Sequence, residues 1–204
     1  QFFSVEEINI WGHTAASALQ AVGEHLNDHR PDYILILGDR YEILSAAIAA
    51  HLQRIPIAHI GGGDVSEGSY DNAMRDCISR LASLHFVTSH SAMARLSAYG
   101  ISHIHLVGNP GLDYIKHADW RREHPAADPY VVVSYQPETI DGTVDLVAVN
   151  EAIAGRMAVW ITPNPDRGSE LIPPGVTLSH ADFLNLLLHC EEFIGNSSSM
   201  LYEA

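Results

Sequence analysis

The feature that most constrains the fold is a pair of apolar segments that each end in glycine and aspartate. The first, Tyr33–Leu37, runs into Gly38-Asp39-Arg40, and the second, Ile57–Ile60, runs into Gly61-Gly62-Gly63-Asp64. The alanine-rich segment Glu42–Gln53 between them is predicted to be a helix. A short continuous apolar run is typical of a parallel strand buried on both faces. The pattern therefore predicts a parallel sheet with acidic residues at the edge where open α/β sheets bind ligands.

The alternation of strands and helices continues along the chain and predicts a doubly wound α/β fold. The further predicted strands are His85–Thr88, Ile104–Val107, Tyr130–Ser134, Ala158–Thr162 and Phe193–Gly195, and the further predicted helices are Thr14–His29, Asp71–Ala82, Ser89–Tyr99, Val144–Ile153 and Phe183–His189. Residues 116–129 are charged, contain proline and have no clear periodicity. We therefore predict an N-terminal domain over residues 1–115, a linker over 116–129 and a C-terminal domain over 130–204.

Composition and charge exclude several classes of partner. With 11 basic and 25 acidic residues the net charge is −14, which disfavours nucleic acid because its phosphates require a basic surface. No apolar run approaches the ~20 residues that span a bilayer, and residues 1–10 lack the pattern of a secretory signal. Only Cys77 and Cys190 are present, which indicates a reducing, cytoplasmic environment with both thiols in the core.

A serine-rich turn, Asn196-Ser197-Ser198-Ser199, follows the last predicted strand, and a helix is expected from Leu201. Hydroxyls and the first helix amides would converge there, which suits a diphosphate. The alternative is an ordinary serine N-cap with additional serines nearby. The sequence pattern alone leaves both interpretations open.

The Gly38-Asp39-Arg40 segment places a carboxylate at a strand end. Asp39 is a candidate for proton transfer, with Arg40 binding an anionic ligand or setting the charge state of Asp39. The alternative is that Asp39 only caps the following helix while Arg40 lies on the surface.

The glycine loop that follows the second strand contributes further candidates. Three successive glycines favour a close approach of the backbone to a ligand. Asp64, Glu67 and Asp71 place three carboxylates nearby, although some of them are expected to cap a helix or to face solvent. Asp71 is the candidate expected to face the same edge as Asp39, because it lies at the start of a predicted helix.

The histidines and glycines do not form a recognisable metal or cofactor motif. His59 lies inside an apolar strand and is predicted to be a hydrogen-bonded core residue. Two pairs, His103 with His105 and His25 with His29, have metal-compatible spacing, but no cysteine or glutamate completes a zinc pattern. The glycine run does not fit a dinucleotide fingerprint, and no nucleophile elbow or phosphate-loop lysine is present. We therefore predict no metal and no cofactor.

Several segments together resemble one enzyme family. These are GDRYEILSAAIAAHLQRIPIAHIGGGDVSEGSYDNAMRD, LHFVTS, VGNPGLDYI, PNPDRGS and GNSSSMLYEA. They resemble the hydrolysing UDP-N-acetylglucosamine 2-epimerases of sialic-acid biosynthesis, and equally the 2-epimerases that act on UDP- or GDP-diacetylbacillosamine. The resemblance implies two Rossmann-like domains in a glycosyltransferase-B-like architecture, with a nucleotide sugar bound between them. It also implies that the first strand–helix unit and the last helices are missing from this chain.

The resemblance implies a reaction and a set of roles. Abstraction of the sugar C2 proton with anti elimination of UDP gives a 2-acetamidoglucal, and syn addition of water gives N-acetylmannosamine. Asp39 and Asp71 match acidic catalytic positions, and Arg40 matches a nucleotide-contacting arginine. The remaining matches are a diphosphate clamp in the serine turn, at Ser197, Ser198 and the adjacent Ser199, and a ribose-binding residue, Glu203. We also expect a homo-oligomer.

The sequence departs from the family pattern at two positions. Gly61 stands where several members carry a catalytic glutamate, and Gln136 stands where many carry histidine. Neither glycine nor glutamine can move a proton at neutral pH, so Asp64 or Glu67 is a candidate replacement. These departures keep open a non-catalytic nucleotide-sugar binding protein, and the fold keeps open a glycosyltransferase.

Overall fold

The chain forms two compact units, Gln1–Asn109 and Pro110–Ala204. The structure is a computed structural model that describes residues 14–117, 119, 129–138 and 143–202. In both units the described residues form a parallel sheet with α-helices. The predicted α/β class is therefore confirmed.

The first unit contains four strands and four helices within its described part. In chain order they are α1 (Ala15–His29), β1 (Ile34–Leu37), α2 (Tyr41–Leu52), β2 (Ile57–Ile60), α3 (Asp71–Leu81), β3 (Leu84–Val87), α4 (His90–Ala98) and β4 (Ile104–Leu106). The sheet order is β1-β2-β3-β4, and all neighbours are parallel. Each predicted element is present, with ends shifted by a few residues at most. The carboxyl ends of β1 and β2 therefore lie side by side.

The two faces of this sheet are covered unequally. Each strand pairs with the next one in sequence, so right-handed crossovers place α2, α3 and α4 on the same face. Ile36, on that face, is buried, whereas Leu35 and Leu37 on the opposite face are 57% and 67% exposed. The prediction that Tyr33–Leu37 is buried on both faces is therefore wrong, because the described helices cover only one face of β1.

Local signals explain where two of the helices begin and end. The Thr14 hydroxyl accepts a hydrogen bond from the Ser17 amide at the start of α1. Ser89 does the same for Ala92 at the start of α4. Gly100, with φ of +74°, follows the end of α4, which is the glycine stop signal that the sequence predicted.

The second unit is built around one central strand. Its elements are α5 (Pro110–His117), β5 (Val131–Ser134), α6 (Val147–Ala152), β6 (Ala158–Trp160), a 3₁₀ helix (Ser169–Leu171), α7 (His180–His189), β7 (Glu192–Gly195) and α8 (Ser199–Tyr202). The sheet order is β6-β5-β7, with parallel neighbours. All four residues of β5 are buried, so this strand has the two-sided burial that β1 lacks.

Helix α5 was absent from the sequence prediction. It begins at Pro110, and proline is favoured at the first position of a helix because its missing N–H would have no partner there. The last two residues of α5 are the first two of the predicted linker, 116–129. Residues 118 and 120–128 lie outside the described part, and the predicted domain limits stay a prediction.

Both cysteines are free thiols. Cys190 is half-buried and its thiol donates to the Leu187 carbonyl at 3.2 Å, and burial raises its pKa. Cys77 is exposed, so its predicted core position is wrong. The amphipathic helix α3 turns this residue to solvent while burying Ile78 and Ser79.

Within residues 14–117, 119, 129–138 and 143–202, no helix combines the length and the apolar character needed to cross a bilayer.

Candidate functional site

An ion pair organises the carboxyl edge of the first sheet. Asp39 follows β1 after Gly38, whose φ of +105° turns the chain at the strand end. The Asp39 carboxylate pairs with the guanidinium of Arg75 on α3. Arg75 is only 7% exposed. A buried guanidinium therefore fixes the orientation of the carboxylate that the sequence places at the strand end.

Arg75 also binds the glycine loop that follows β2. One of its terminal nitrogens donates to the Asp64 carbonyl at 2.6 Å and to the Asn72 side-chain oxygen at 2.9 Å. The other, which binds Asp39, lies 3.3 Å from the Ser66 hydroxyl. A guanidinium presents five donors in a rigid plane, so this one side chain holds the loop after β1 and the loop after β2 together.

Asp39 does not cap a helix. The N-cap of α2 is Arg40, which makes no side-chain capping bond, and the Arg40 guanidinium lies 3.5 Å from the buried Glu42 carboxylate. The capping interpretation of Asp39 is therefore excluded. The cation beside Asp39 is Arg75 rather than Arg40.

Packing within the protein, rather than ligand approach, explains two of the three loop glycines. A Cβ on Gly62 would lie 2.7 Å from the Ser79 hydroxyl and 2.9 Å from His59 Nδ1. A Cβ on Gly63 would lie 2.5 Å from the Ala92 carbonyl. The prediction that the glycines allow the close approach of a ligand is therefore wrong for these two. They allow the close packing of α3, β2 and α4 against the loop instead.

Gly61 differs from its two neighbours. The nearest atom to a Cβ at this position would be a carboxylate oxygen of Asp64, 3.9 Å away. The φ of Gly61 is +78°, a conformation that residues with side chains rarely adopt.

The loop carboxylates are held by neighbouring hydroxyls. The Thr88 hydroxyl at the end of β3 lies 2.8 and 2.9 Å from the two carboxylate oxygens of Asp64. The Ser69 hydroxyl donates to the Asp71 carboxylate at 3.0 Å. Asp71 is the first residue of α3, as predicted, whereas Glu67 is exposed in the loop.

His59 lies under both loops. It is buried in β2, its Nδ1 lies 3.1 Å from the Ser79 hydroxyl, and its Nε2 lies 3.3 Å from the Gly38 carbonyl. A carbonyl only accepts, so the proton resides on Nε2 and Ser79 donates to Nδ1. The prediction that His59 is a hydrogen-bonded core residue is confirmed.

The carboxyl ends of β5 and β7 in the second unit are joined by side-chain amides. The Asn196 amide accepts from the Gln136 N–H at 2.7 Å and donates to the Gln136 carbonyl at 2.8 Å. The Gln136 side-chain oxygen accepts from the Asn164 N–H at 2.8 Å. Gln136 is therefore fixed at the base of the serine turn, with its NH2 group as the donor end of the side chain.

The serine turn connects β7 to α8. The Ser197 hydroxyl accepts from the N–H of Ser199, the first residue of α8, at 3.3 Å, while Ser198 is exposed. Gly195 approaches the Ser134 carbonyl so closely that no Cβ would fit. The turn thus leaves the Ser198 hydroxyl available to a ligand, and Glu203 lies outside the described residues.

The histidine pairs do not form a metal site in the part of the chain that the structure describes, where no three histidine, cysteine, aspartate or glutamate side chains come together. The rings of His25 and His29 stack at 4.1 Å. His103 has φ of +57° and precedes β4, so it does not share a strand face with His105.

Comparison with known proteins places this arrangement in a family. The sequence matches the family described as UDP-N-acetylglucosamine 2-epimerase over residues 5–204. The chain belongs to the UDP-N-acetylglucosamine 2-epimerase family. A UDP-N,N'-diacetylbacillosamine 2-epimerase (hydrolyzing) from Legionella pneumophila is 30% identical over 93% of this chain and 59% of its own length. A UDP-N-acetylglucosamine 2-epimerase from Neisseria meningitidis is 29% identical over 85% of this chain and 53% of its own length.

A solved structure supports the fold of this epimerase-family chain. The Methanocaldococcus jannaschii UDP-GlcNAc 2-epimerase, solved with UDP-GlcNAc and UDP, superposes with a TM-score of 0.74 at 20% identity, over 96% of this chain and 64% of its own. The fold is thus glycosyltransferase-B-like, with Rossmann-like units. The chain spans between about half and two thirds of the length of these three relatives.

Arg75 was not among the residues that the sequence pattern predicted for the site, although its position in the helix indicated a place beside Asp71. Arg75 lies four residues after Asp71, so the two share one face of α3. A helix that starts at the ligand edge directs its first turns towards that edge. A basic residue on the same face as a candidate acid was the signal that could have identified it.

The burial of His59 makes the stability of this epimerase-family chain depend on pH. Burial lowers the pKa of His59 from 6.5 to about 4. Between these values the unfolded chain binds the proton more readily, so the stability present above pH 6.5 is lost as the pH falls to about 4. The loss from this group is about 3 kcal/mol.

The pH effect is measured by urea unfolding at pH 7.5 and pH 4. We expect the wild type to lose about 3 kcal/mol more than His59→Gln, in which the titrating group is absent. Parallel losses in the two proteins would show that His59 is protonated in the folded state.

Proposed function

We propose that the protein is a hydrolysing nucleotide-sugar 2-epimerase that converts UDP-N-acetylglucosamine to N-acetylmannosamine and UDP. The observation that carries this proposal is the Asp39 carboxylate fixed by buried Arg75 at the ligand edge of a sheet, in a chain of the epimerase family. A positioned carboxylate is the group that proton transfer at a sugar carbon needs.

The proposed reaction has two steps. A carboxylate takes the proton from sugar C2 while the bond between C1 and the diphosphate oxygen breaks, so UDP leaves and a C1–C2 double bond forms. Water then adds its oxygen to C1 and a proton adds to C2 on the same face of the ring, which is the face opposite to the one from which the C2 proton was taken. The product is the free sugar with inverted C2. In this proposal Asp39 and Asp71 are the acid–base pair.

Asp64 is proposed to supply the carboxylate that position 61 lacks. A side chain at position 61 would begin 3.9 Å from the Asp64 carboxylate, so Asp64 occupies the space that the family's glutamate would approach. The Thr88 hydroxyl orients this carboxylate and leaves further lone pairs for the substrate. Glu67 is a weaker candidate, because it is exposed.

The leaving diphosphate is proposed to bind to the serine turn. The exposed Ser198 and its neighbours Ser197 and Ser199 present hydroxyl donors, and the Gln136 amide is held beside them through Asn196. With its oxygen bonded to Asn164, Gln136 can donate to a phosphate oxygen but cannot transfer a proton at neutral pH. Arg40 is proposed to contact the nucleotide, and Glu203 the ribose.

The reaction is tested by incubating the full-length protein with UDP-N-acetylglucosamine in deuterated water. We expect release of UDP and of N-acetylmannosamine that carries deuterium at C2. UDP-dependent thermal stabilisation without turnover would instead indicate a binding protein. Transfer of the sugar to an acceptor with its C2 configuration retained would indicate a glycosyltransferase.

A second substrate is favoured by one observation. The Legionella pneumophila relative, 30% identical, is named as acting on UDP-N,N'-diacetylbacillosamine. We therefore propose this sugar as the alternative substrate of the same reaction. Assays with UDP-N-acetylglucosamine, UDP-diacetylbacillosamine and its GDP counterpart, compared by kcat/KM, identify the substrate.

Replacing Ser198 by alanine should weaken UDP binding. Loss of one hydroxyl donor to a charged phosphate costs about 1–3 kcal/mol, which corresponds to about 5- to 150-fold in Kd. Isothermal titration with UDP measures the change. Ser97→Ala, at an exposed serine on α4, is the matched control and should leave Kd unchanged. Equal affinities of wild type and Ser198→Ala would remove Ser198 from the diphosphate site.

A further inference from the structure

His59 connects the two loops that carry Asp39 and Asp64. Its Nε2–H donates to the carbonyl of Gly38, the residue before Asp39. The other side of the same ring contacts the glycine loop, where a Cβ on Gly62 would lie 2.9 Å from Nδ1. One buried ring therefore supports the loop after β1 and the loop after β2.

The ring itself has little freedom. It is 0% exposed, and the Ser79 hydroxyl on α3 binds Nδ1 at 3.1 Å. Gly38 has φ of +105°, a region open to glycine, so its own backbone preferences do not fix the direction of the following peptide. The hydrogen bond from His59 supplies that restraint. Arg75 holds the Asp39 side chain, and His59 holds the backbone from which it extends.

We propose that His59 is a positioning residue for the reaction proposed above: its ring, anchored by Ser79, fixes the Gly38–Asp39 peptide and the base of the glycine loop. The expected effect on kcat rests on the proposed function, whereas the expected effect on the two loops rests only on their geometry. A displacement of about 1 Å at a reacting group can cost about 10²-fold in rate. Loss of the ring should therefore lower kcat more than it weakens UDP binding, because the proposed diphosphate contacts lie in the serine turn of the second unit and only Arg40 adjoins the released peptide.

The chain supplies a matched control in His85. It lies on β3 in register with His59, is 1% exposed, and burial lowers its pKa as well. Its hydrogen bond goes to the backbone of Ala82 rather than to a loop that carries a candidate acid. Replacing either histidine by leucine removes a buried ring at the same depth, but only one replacement releases the loops.

The experiment compares His59→Leu, His59→Gln, Ser79→Ala and His85→Leu in the full-length protein. We expect His59→Leu to lower kcat about 10²-fold and to weaken UDP binding much less, since only Arg40 among the proposed UDP contacts adjoins the released peptide. His59→Gln, whose amide N–H can replace Nε2–H, should recover most of kcat, and Ser79→Ala should give an intermediate loss. His85→Leu should keep kcat within about 3-fold. Equal kcat losses in His59→Leu and His85→Leu would overturn the proposal. If His59→Leu does not fold, the same comparison of kcat is made between Ser79→Ala and His85→Leu.

Hydrogen exchange provides a readout that does not depend on turnover. We expect faster amide exchange at residues 38–40 and 61–64 in His59→Leu and Ser79→Ala, but not in His85→Leu. Unchanged exchange at both loops overturns the positioning role even if the enzyme is active. If the wild type turns over none of the nucleotide sugars, the proposed function fails, and faster exchange confined to these loops still supports the positioning role.

Discussion

Asp39→Asn lowers kcat by at least about 10³-fold and leaves the affinity for UDP unchanged. General acid–base catalysis contributes about 10²–10⁴-fold, and the proposed reaction removes a proton from carbon, which depends on this group. Asparagine keeps the shape of the side chain, and its oxygen still accepts from Arg75, so the loop remains held. What is lost is the ability to take up a proton.

The measurement is UDP release under saturating substrate together with calorimetric binding of UDP. Asp32→Asn is the matched control, because Asp32 is an exposed carboxylate that precedes the same strand. It should leave kcat within about 2-fold, the range expected of a surface change. If Asp39→Asn keeps a tenth or more of wild-type kcat, Asp39 is not the base, and the assignment moves to Asp64 or Asp71.

Arg75→Met lowers the free energy of unfolding by about 3–5 kcal/mol, the cost of removing one partner of a buried ion pair. The Asp39 carboxylate, whose side chain is 23% exposed, loses its cation, and the Asp64 carbonyl loses its donor. Methionine fills a similar volume, so the change reports on charge and hydrogen bonding rather than on a cavity. Turnover should be lost as well, because both loops are released.

Urea unfolding at pH 7.5 measures this loss, and a double variant tests its cause. In Arg75→Met with Asp39→Asn no unpaired charge remains, so the double variant should be more stable than the sum of the single changes predicts. Arg80→Met, on the exposed side of α3 with its guanidinium 5.1 Å from the Tyr99 ring, is the control and should cost less than about 1 kcal/mol. A loss below about 1 kcal/mol for Arg75→Met would contradict the supporting role of the ion pair.

The sequence predicted the edge of the sheet well and the contacts within it poorly. Apolar runs that end in Gly38-Asp39 and in the glycine loop locate both strand ends, because this pattern depends only on neighbours in the chain. The partner of Asp39 cannot be identified from neighbouring residues, because Arg75 is 36 residues away in sequence. The glycine loop shows the same limit. Gly62 and Gly63 are required by packing against His59, Ser79 and Ala92, and a linear pattern does not distinguish internal packing from ligand approach.

We predicted burial from local composition. This prediction was wrong where the arrangement of helices around the sheet determines whether a strand is buried. Tyr33–Leu37 and the strand Val131–Ser134 are both apolar runs, yet only the second is covered on both faces. The difference is helix coverage, because α7 packs against one face of β5 and α6 against the other, whereas the described helices cover only one face of β1. Helix α5 was missed for a different reason, since its last two residues, 116 and 117, were assigned to a linker without periodicity.

The positive φ of Gly61 has a consequence for how related enzymes diverge. A glutamate introduced at this position by a single codon change would be strained in the present backbone and would bring a second negative charge towards Asp64. The glutamate that the family resemblance implies for this position would therefore need a different backbone conformation from the one that Gly61 adopts here. An engineered exchange of glycine for glutamate would therefore succeed only with further changes in the loop that relieve this strain.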